Sequence, residues 1–277
     1  MKKLLFIALL SVIYVVNLLS QSCGTVVTSD QLTLENSITI TPVTATQSLP
    51  QLNRVLTIAV YIVHDETNSP GISSTDINNA ITSLNTYFEP IALSFKICSI
   101  NDVNNYQFNS LFAGQNENDL VKSNNTPNVI NLYLVGSLYD QFQNQVCGYT
   151  YMPASAKDYI FLEKSCIAGS ELAHQVGHFF NLYHTHETVF GTELVKRTGC
   201  DVTGDRCCDT EADPNLLGWV DSNCLYTGRI KDSNSDYYHP SVKNLMSFGP
   251  DACRCYFSNT QFLRMIYAIN NIRTNLH

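Results

Sequence analysis

Charge is scarce in this chain, and basic charge scarcer still. Only 14% of the 277 residues are charged, with 16 Lys and Arg against 24 Asp and Glu, for a net charge of −8. A chain without a basic excess is a poor partner for nucleic acid or an anionic membrane surface. Beyond residue 19 no apolar run is long enough to span a bilayer, so no membrane span is expected in the remainder. No two cysteines stand in the Cys-x-x-Cys spacing of a zinc knuckle, and no internal repeat is present. What remains is an ordinary folding composition, 44% hydrophobic, in a length that suits one domain plus processing segments.

The first such segment is at the N-terminus. Met1-Lys2-Lys3 precedes an apolar run from Leu4 to Leu19 broken only by Ser11 and Asn17. That is a signal peptide, expected over 1–22, and it makes the chain secreted or extracytoplasmic. Cys23 follows directly. It is a candidate lipid acceptor, although Ser20-Gln21-Ser22 lacks the Leu of a lipobox. In an exported chain the ten cysteines read as disulfides. Residues 23–53 are rich in Thr, Ser and Val and stand as a prosegment, a linker or an added strand; 54–277 is the domain proper. Asn124-Asn125-Thr126 is a glycosylation sequon whose use depends on the host.

Within the domain, Arg54 to Asp65 is a β-branched run bounded by turn residues and reads as a buried strand. Ile77, Ala80, Ile81, Leu84 and Phe88 follow at helical spacing after several candidate N-caps at 73–76. Strand patterns return at Ile91–Ile100, Asn128–Val135 and Asp158–Glu163, while Gln115–Asn128 is polar and reads as a long loop. Ser258-Asn259-Thr260-Gln261 is a capping box that opens a helix through Phe262, Met265, Ile266 and Ile269. The pattern indicates an α/β (α+β) sheet domain with helices on its face.

The chemistry is concentrated in Ser170–Glu187. His174 and His178 share one helix face, and two neutral imidazoles so placed can hold one zinc ion. His184, six residues on, reaches the same metal only if the helix breaks near Asn181, a residue that tolerates the left-handed conformation. Three histidines at this spacing match the His-Glu-x-x-His-x-x-Gly-x-x-His signature of the metzincin peptidases, with two departures. Asn181 replaces Gly, a mild change. Gln175 replaces the Glu that takes a proton from the attacking water and later returns it. Gln keeps the shape and loses the base. His186 and Glu187 lie past the break, where the exit of the helix is expected to carry them away from the reacting water. His64, at the end of the first strand, is expected on the surface or in packing.

After the zinc stretch, Gly199–Pro214 is poor in apolar residues and rich in cysteine and oxygen donors. Asp205, Asp209 and Thr210 offer hard oxygen ligands for calcium; a disulfide-pinned acidic loop is the alternative.

From Arg54 onward the chain resembles the pappalysin family of metzincin metallopeptidases. The resemblance rests on Cys147-Gly148-Tyr149-Thr150-Tyr151-Met152-Pro153, the zinc stretch, Gly204-Asp205-Arg206-Cys207-Cys208-Asp209-Thr210, Asn244-Leu245-Met246-Ser247-Phe248 and Cys253, in that order. It implies a metzincin-like fold: an upper half with a twisted mixed sheet and the zinc helix, and an irregular, disulfide-linked lower half closed by a C-terminal helix. It implies zinc on His174, His178 and His184, and Met246 as the Met-turn residue packed beneath the metal. It also implies calcium at Asp205, the Cys208 carbonyl and Thr210, and lower-half disulfides drawn from Cys200, Cys208, Cys224 and Cys253. The family's Tyr two residues after the Met-turn Met, which points at the reaction intermediate, is Phe248 here.

Two polar groups that act on a transition state are therefore replaced, and every metal ligand is kept. Losing a general base costs about 10²–10⁴ in rate, and losing a donor to the intermediate costs about 10²–10³. The resemblance implies an exported zinc metallopeptidase acting on peptide or protein, catalytically impaired as written. The alternative is a zinc-stabilised pseudoprotease that binds a peptide or protein without cutting it. A deliberate Glu-to-Gln exchange would explain Gln175 and leave Phe248 without a reason.

Overall fold

The structure, a computed structural model, describes residues 23–41 and 48–277. The signal peptide expected over 1–22 lies outside the described residues, as do six positions of the 23–53 segment.

Seven strands are present among the described residues: β1 (Arg54–Val63), β2 (Leu93–Val103), β3 (Ser110–Phe112), β4 (Ile130–Val135), β5 (Ser137–Tyr139), β6 (Gly148–Thr150) and β7 (Tyr159–Glu163). The helices are α1 (Ser29–Glu35), α2 (Ser74–Phe88), α3 (Glu117–Ser123), α4 (Glu171–Phe179) and α5 (Asn259–Asn271). The main sheet has the order β2-β1-β4-β7-β6. Its first four strands are parallel, and β6 runs antiparallel to β7 at one edge. It is the mixed sheet that the family resemblance implied.

Burial on both faces explains why β1 reads as an unbroken apolar run rather than an alternation. Ile58, Val60 and Ile62 pack with Ile77, Leu84 and Phe88 of α2, with Leu172, Val176 and Phe179 of α4, and with Met265 and Ile269 of α5. Ala59, Tyr61 and Val63 point the other way, into a second core with Tyr133, Tyr149 and Phe161. Helix α2 begins with a full capping box in which Ser73 and Asp76 bond each other's backbone, and α5 begins with another between Ser258 and Gln261.

Two expectations need correction. Gln115–Asn128 is not all loop, because α3 occupies its middle. Leu120 and Glu117 are fully buried there, and the Glu117 carboxylate accepts the hydroxyls of Tyr149 and Tyr151. Ten cysteines do not make five disulfides either. Cys147–Cys166, Cys200–Cys208 and Cys224–Cys253 are bonded, while Cys23, Cys98, Cys207 and Cys255 are free. The lower half has little regular structure besides α5, and two of the three disulfides pin it.

Candidate metal centre

Helix α4 is positioned from both ends. At its start Asp251 Oδ1 accepts both the amide and the hydroxyl of Ser170, placing a carboxylate at the positive end of the helix. At its end Asn181 takes φ +75°, its amide bonds the His178 carbonyl, and the Leu182 amide reaches back to Gly177. That pair of bonds is a Schellman motif, and it turns the chain by the left-handed step that the position was expected to supply.

The turn brings three imidazoles together. Nε2 of His178 lies 3.1 Å from Nε2 of His174 and 3.0 Å from Nε2 of His184. Nδ1 of His174 donates to the Leu245 carbonyl at 2.7 Å, and Nδ1 of His178 donates to the Leu182 carbonyl at 2.8 Å. With their Nδ1 protons so engaged, these rings aim Nε2 lone pairs at one point, where they repel unless a cation sits between them. Burial drives His174 and His184 well below their ordinary pKa and His178 down to about 4, which keeps the rings neutral, as ligation requires. The donor set fits zinc.

A fourth donor completes the group, and sequence reasoning missed it. Cys23 Sγ lies with the three imidazole nitrogens, all four within 4.8 Å of one another. Cys23 forms a parallel bridge with Gly148 at the start of β6, and Gly24 donates to the Gly148 carbonyl at 2.9 Å. The segment after it is anchored as firmly. Gln31 and Glu35 of α1 are buried; Gln31 Nε2 donates to Asn181 Oδ1 at 2.6 Å, and Arg264 Nη2 pairs with Glu35 Oε2 at 2.7 Å. Cys23 thus lies beside the three imidazoles. No local spacing signals this, because 151 residues separate Cys23 from His174.

Gln175 is fully buried beside this group. Its Nε2 donates to Glu171 Oε1 at 2.7 Å and to Cys23 Sγ at 3.2 Å, while its Oε1 accepts the Thr25 hydroxyl at 3.1 Å. Glu171 in turn pairs with Arg254 at 3.1 Å. Met246 is fully buried, and its Sδ lies 2.6 Å from where a Cβ on Gly177 would stand. The Phe248 ring lies 4.7 Å from that of His184 and 4.4 Å from that of His186. The exit of the helix was expected to remove His186; instead its ring stacks on His184 at 4.9 Å. Glu187 does turn away, accepting the amides of Thr188 and Val189. His64 sits at the sheet end, bonded to Asp102 at 2.8 Å.

The acidic loop separates into two parts. Asp209 accepts Ser258 Oγ and the Thr260 amide, so its carboxylate caps α5. The Cys208 carbonyl faces the Arg197 guanidinium at 3.2 Å, which is a poor setting for a second cation. Asp205 and Thr210 are buried and adjoining, with Thr210 Oγ1 at 3.0 Å from Asp205 Oδ1 and 2.6 Å from the Cys207 carbonyl. Glu193, which no sequence signal singled out, is 4% exposed, and neither of its carboxylate oxygens has a partner. Burial pushes Glu193 up to about 7, and its charge adds to the burial that raises Asp205.

Among the described residues no helix is long and apolar enough to cross a membrane. No protein-family model matches the chain. It is 27% identical over 237 residues to an extracellular metalloprotease of Sordaria macrospora, covering 78% of this chain and 74% of that one. It is 27% identical over 224 residues to an extracellular metalloprotease of Neurospora crassa, covering 74% and 70%. Among solved structures, metalloproteinase-II of Bacteroides fragilis aligns with a TM-score of 0.39 at 13% identity, over 81% of this chain and 56% of that one. These sequence similarities support the metallopeptidase family in the broad sense, through relatives that are extracellular metalloproteases.

Proposed function

We propose that the chain is an exported zinc protein of pappalysin-type metallopeptidase descent, catalytically impaired by Gln175 and Phe248. The observation that carries this reading is the convergence of His174, His178 and His184 on one point, with two of the rings fixed through Nδ1 to backbone carbonyls. Zinc held there would polarise a peptide carbonyl and acidify a water. The chain's own residues then fall short. Gln175 has no carboxylate to take a proton, and Phe248 has no hydroxyl to offer an oxyanion. Residues 1–22 supply the export signal, and the substrate or ligand class is peptide or protein.

A second reading, a pseudoprotease, is favoured by a separate observation. Cys23 and Gly24 occupy the β6 edge where an extended peptide would pair, and Cys23 supplies the thiol that closes the three-histidine set to four donors. Four protein ligands make a structural zinc site, and an open position makes a catalytic one.

The deciding experiment compares the zinc-loaded chain with Gln175→Glu on a mixed peptide library read by mass spectrometry. Cleavage by the variant alone supports a peptidase silenced at one residue. Cleavage by neither means that Phe248 or the cleft itself has also diverged, and the test passes to binding of peptide or protein. Equal cleavage by both refutes the impairment.

Calcium belongs to the same reading, at Asp205, Thr210 and Glu193, where two unpartnered buried carboxylate oxygens favour a hard cation. Calcium titration of the zinc-loaded protein should raise its thermal midpoint, and Glu193→Gln should abolish the rise.

A further inference from the structure

Gln175 cannot act as a base, and its surroundings show what it does instead. The side chain lies against the β6 backbone, where a Cβ on Gly148 would stand 2.9 Å from Gln175 Cγ. Every polar atom of its amide is engaged. Thr25 Oγ1 accepts the Thr150 amide at 3.0 Å, which leaves its hydroxyl proton for Gln175 Oε1 at 3.1 Å. On the other side Glu171 Oε1 accepts from Nε2 at 2.7 Å, and Glu171 Oε2 pairs with Arg254, itself 3% exposed. A hydroxyl that donates and a carboxylate that accepts leave one orientation for the amide. In that orientation the second Nε2 proton is directed at Cys23 Sγ, 3.2 Å away.

From this geometry we infer that Gln175 is the positioning residue of the Cys23 sulfur, a donor that holds the thiolate in the fourth place of the set of one cysteine and three histidines. The inference rests on the closed-site reading above and extends it. An amide donor to a metal-facing thiolate is charge-assisted, and such outer partners commonly tune a metal site by about 10–100-fold. An ionised Glu at 175 would serve less well, because it offers only acceptors to Glu171 and to the sulfur. The same exchange that removes a base from a peptidase thus supplies a side-chain donor to the sulfur, beside the Thr25 backbone amide at 3.3 Å. Thr25, two residues beyond Cys23, ties the N-terminal segment to Gln175 a second time.

The test alkylates the zinc-loaded full chain with iodoacetamide under native conditions and follows each cysteine by mass spectrometry, using exposed Cys98 as the internal reference. Cys23 of the unaltered chain should react far more slowly than Cys98. Gln175→Glu should raise the Cys23 rate by about tenfold or more with zinc still bound. Cobalt in place of zinc gives a second readout, a thiolate-to-cobalt charge-transfer band that should be present in the unaltered chain and weakened in Gln175→Glu. A purely structural role elsewhere would not move that band. If Gln175→Glu does not fold, Thr25→Val removes the hydroxyl that orients the amide and should shift both readouts in the same direction. Unchanged protection and an unchanged band, in a folded metal-loaded variant of either kind, overturn the role of Gln175. Cys23 labelled as fast as Cys98 in the unaltered, zinc-bound chain would instead remove Cys23 from the metal and sink the closed-site reading itself.

Discussion

Gly177 stands in the middle of α4 because Met246 needs its space. A Cβ there would lie 2.6 Å from the sulfur and 3.3 Å from both Leu182 and Phe257. Gly177→Ala should improve helix propensity by about 1 kcal/mol and still destabilise the protein by about 1–3 kcal/mol through overpacking. Urea denaturation measures the net loss, and a gain would show that Met246 has room to move. Asp213 offers a second residue-scale test. Thr185 Oγ1 donates to it at 2.6 Å and the Asn215 amide at 2.8 Å, yet burial pushes its carboxyl up to about 6. A carboxyl raised in the folded state contributes stability below its ordinary range that is lost as pH rises from about 4 to 6. Asp213→Asn lacks that titration, and the Thr185 hydroxyl can turn to accept. Relative to the unaltered chain it should therefore gain stability across that window, by on the order of 2–3 kcal/mol above pH 6. Taking the difference between the two proteins cancels the titration of the histidines.

Helix α1 is only seven residues long and would not hold its shape alone. Its stability comes from the pocket it enters. Arg264 is 2% exposed, and Glu35 is the carboxylate that pairs with it, joined by the Tyr183 hydroxyl at 3.0 Å and Arg206 at 3.5 Å. Glu35→Ala leaves Arg264 buried without a counter-charge and should cost about 3–5 kcal/mol. Adding Arg264→Met should recover much of that loss, and a double-mutant cycle measures how much. A protease cut between α1 and β1 should leave the N-terminal piece bound, co-eluting on gel filtration. The sequence made some of this legible and hid the rest for one reason, range. His174, His178 and the break at Asn181 follow helical periodicity and a single left-handed residue, both local signals. Helix α3 carries only Leu120 and Val121 as apolar markers in a polar tract, and the tyrosine hydroxyls that bury Glu117 come from β6 and the residue after it. Cys23 meets the imidazoles, Glu35 meets Arg264 and Glu193 lies near Asp205 through contacts that no spacing encodes.

At the scale of the molecule, a metal at the four donors would add one more tie among helix α4, the turn after it and the N-terminal segment, which already meet through Gln31–Asn181 and Thr25–Gln175. Chelating zinc should lower the thermal midpoint, and restoring zinc should bring it back, with each kcal/mol worth about 2–4 °C in a protein of this size. An unchanged midpoint would mean that the three imidazoles are held by packing alone. The Glu35–Arg264 pair spans 229 residues, and Cys23 meets partners from Gly148 to His184. During synthesis the segment that carries Cys23 and Glu35 emerges before the sheet and its helices, and Arg264 emerges 229 positions after Glu35. Contacts of that separation form late, because loop closure must precede them. Cys23 therefore waits as an unshielded thiol while the six disulfide-forming cysteines and three other thiols appear behind it. Oxidation before metal arrives would let Cys23 pair wrongly and leave the four-donor set one short. If zinc is the ion those four donors take, the order of metal binding and thiol oxidation would set whether the chain reaches this fold.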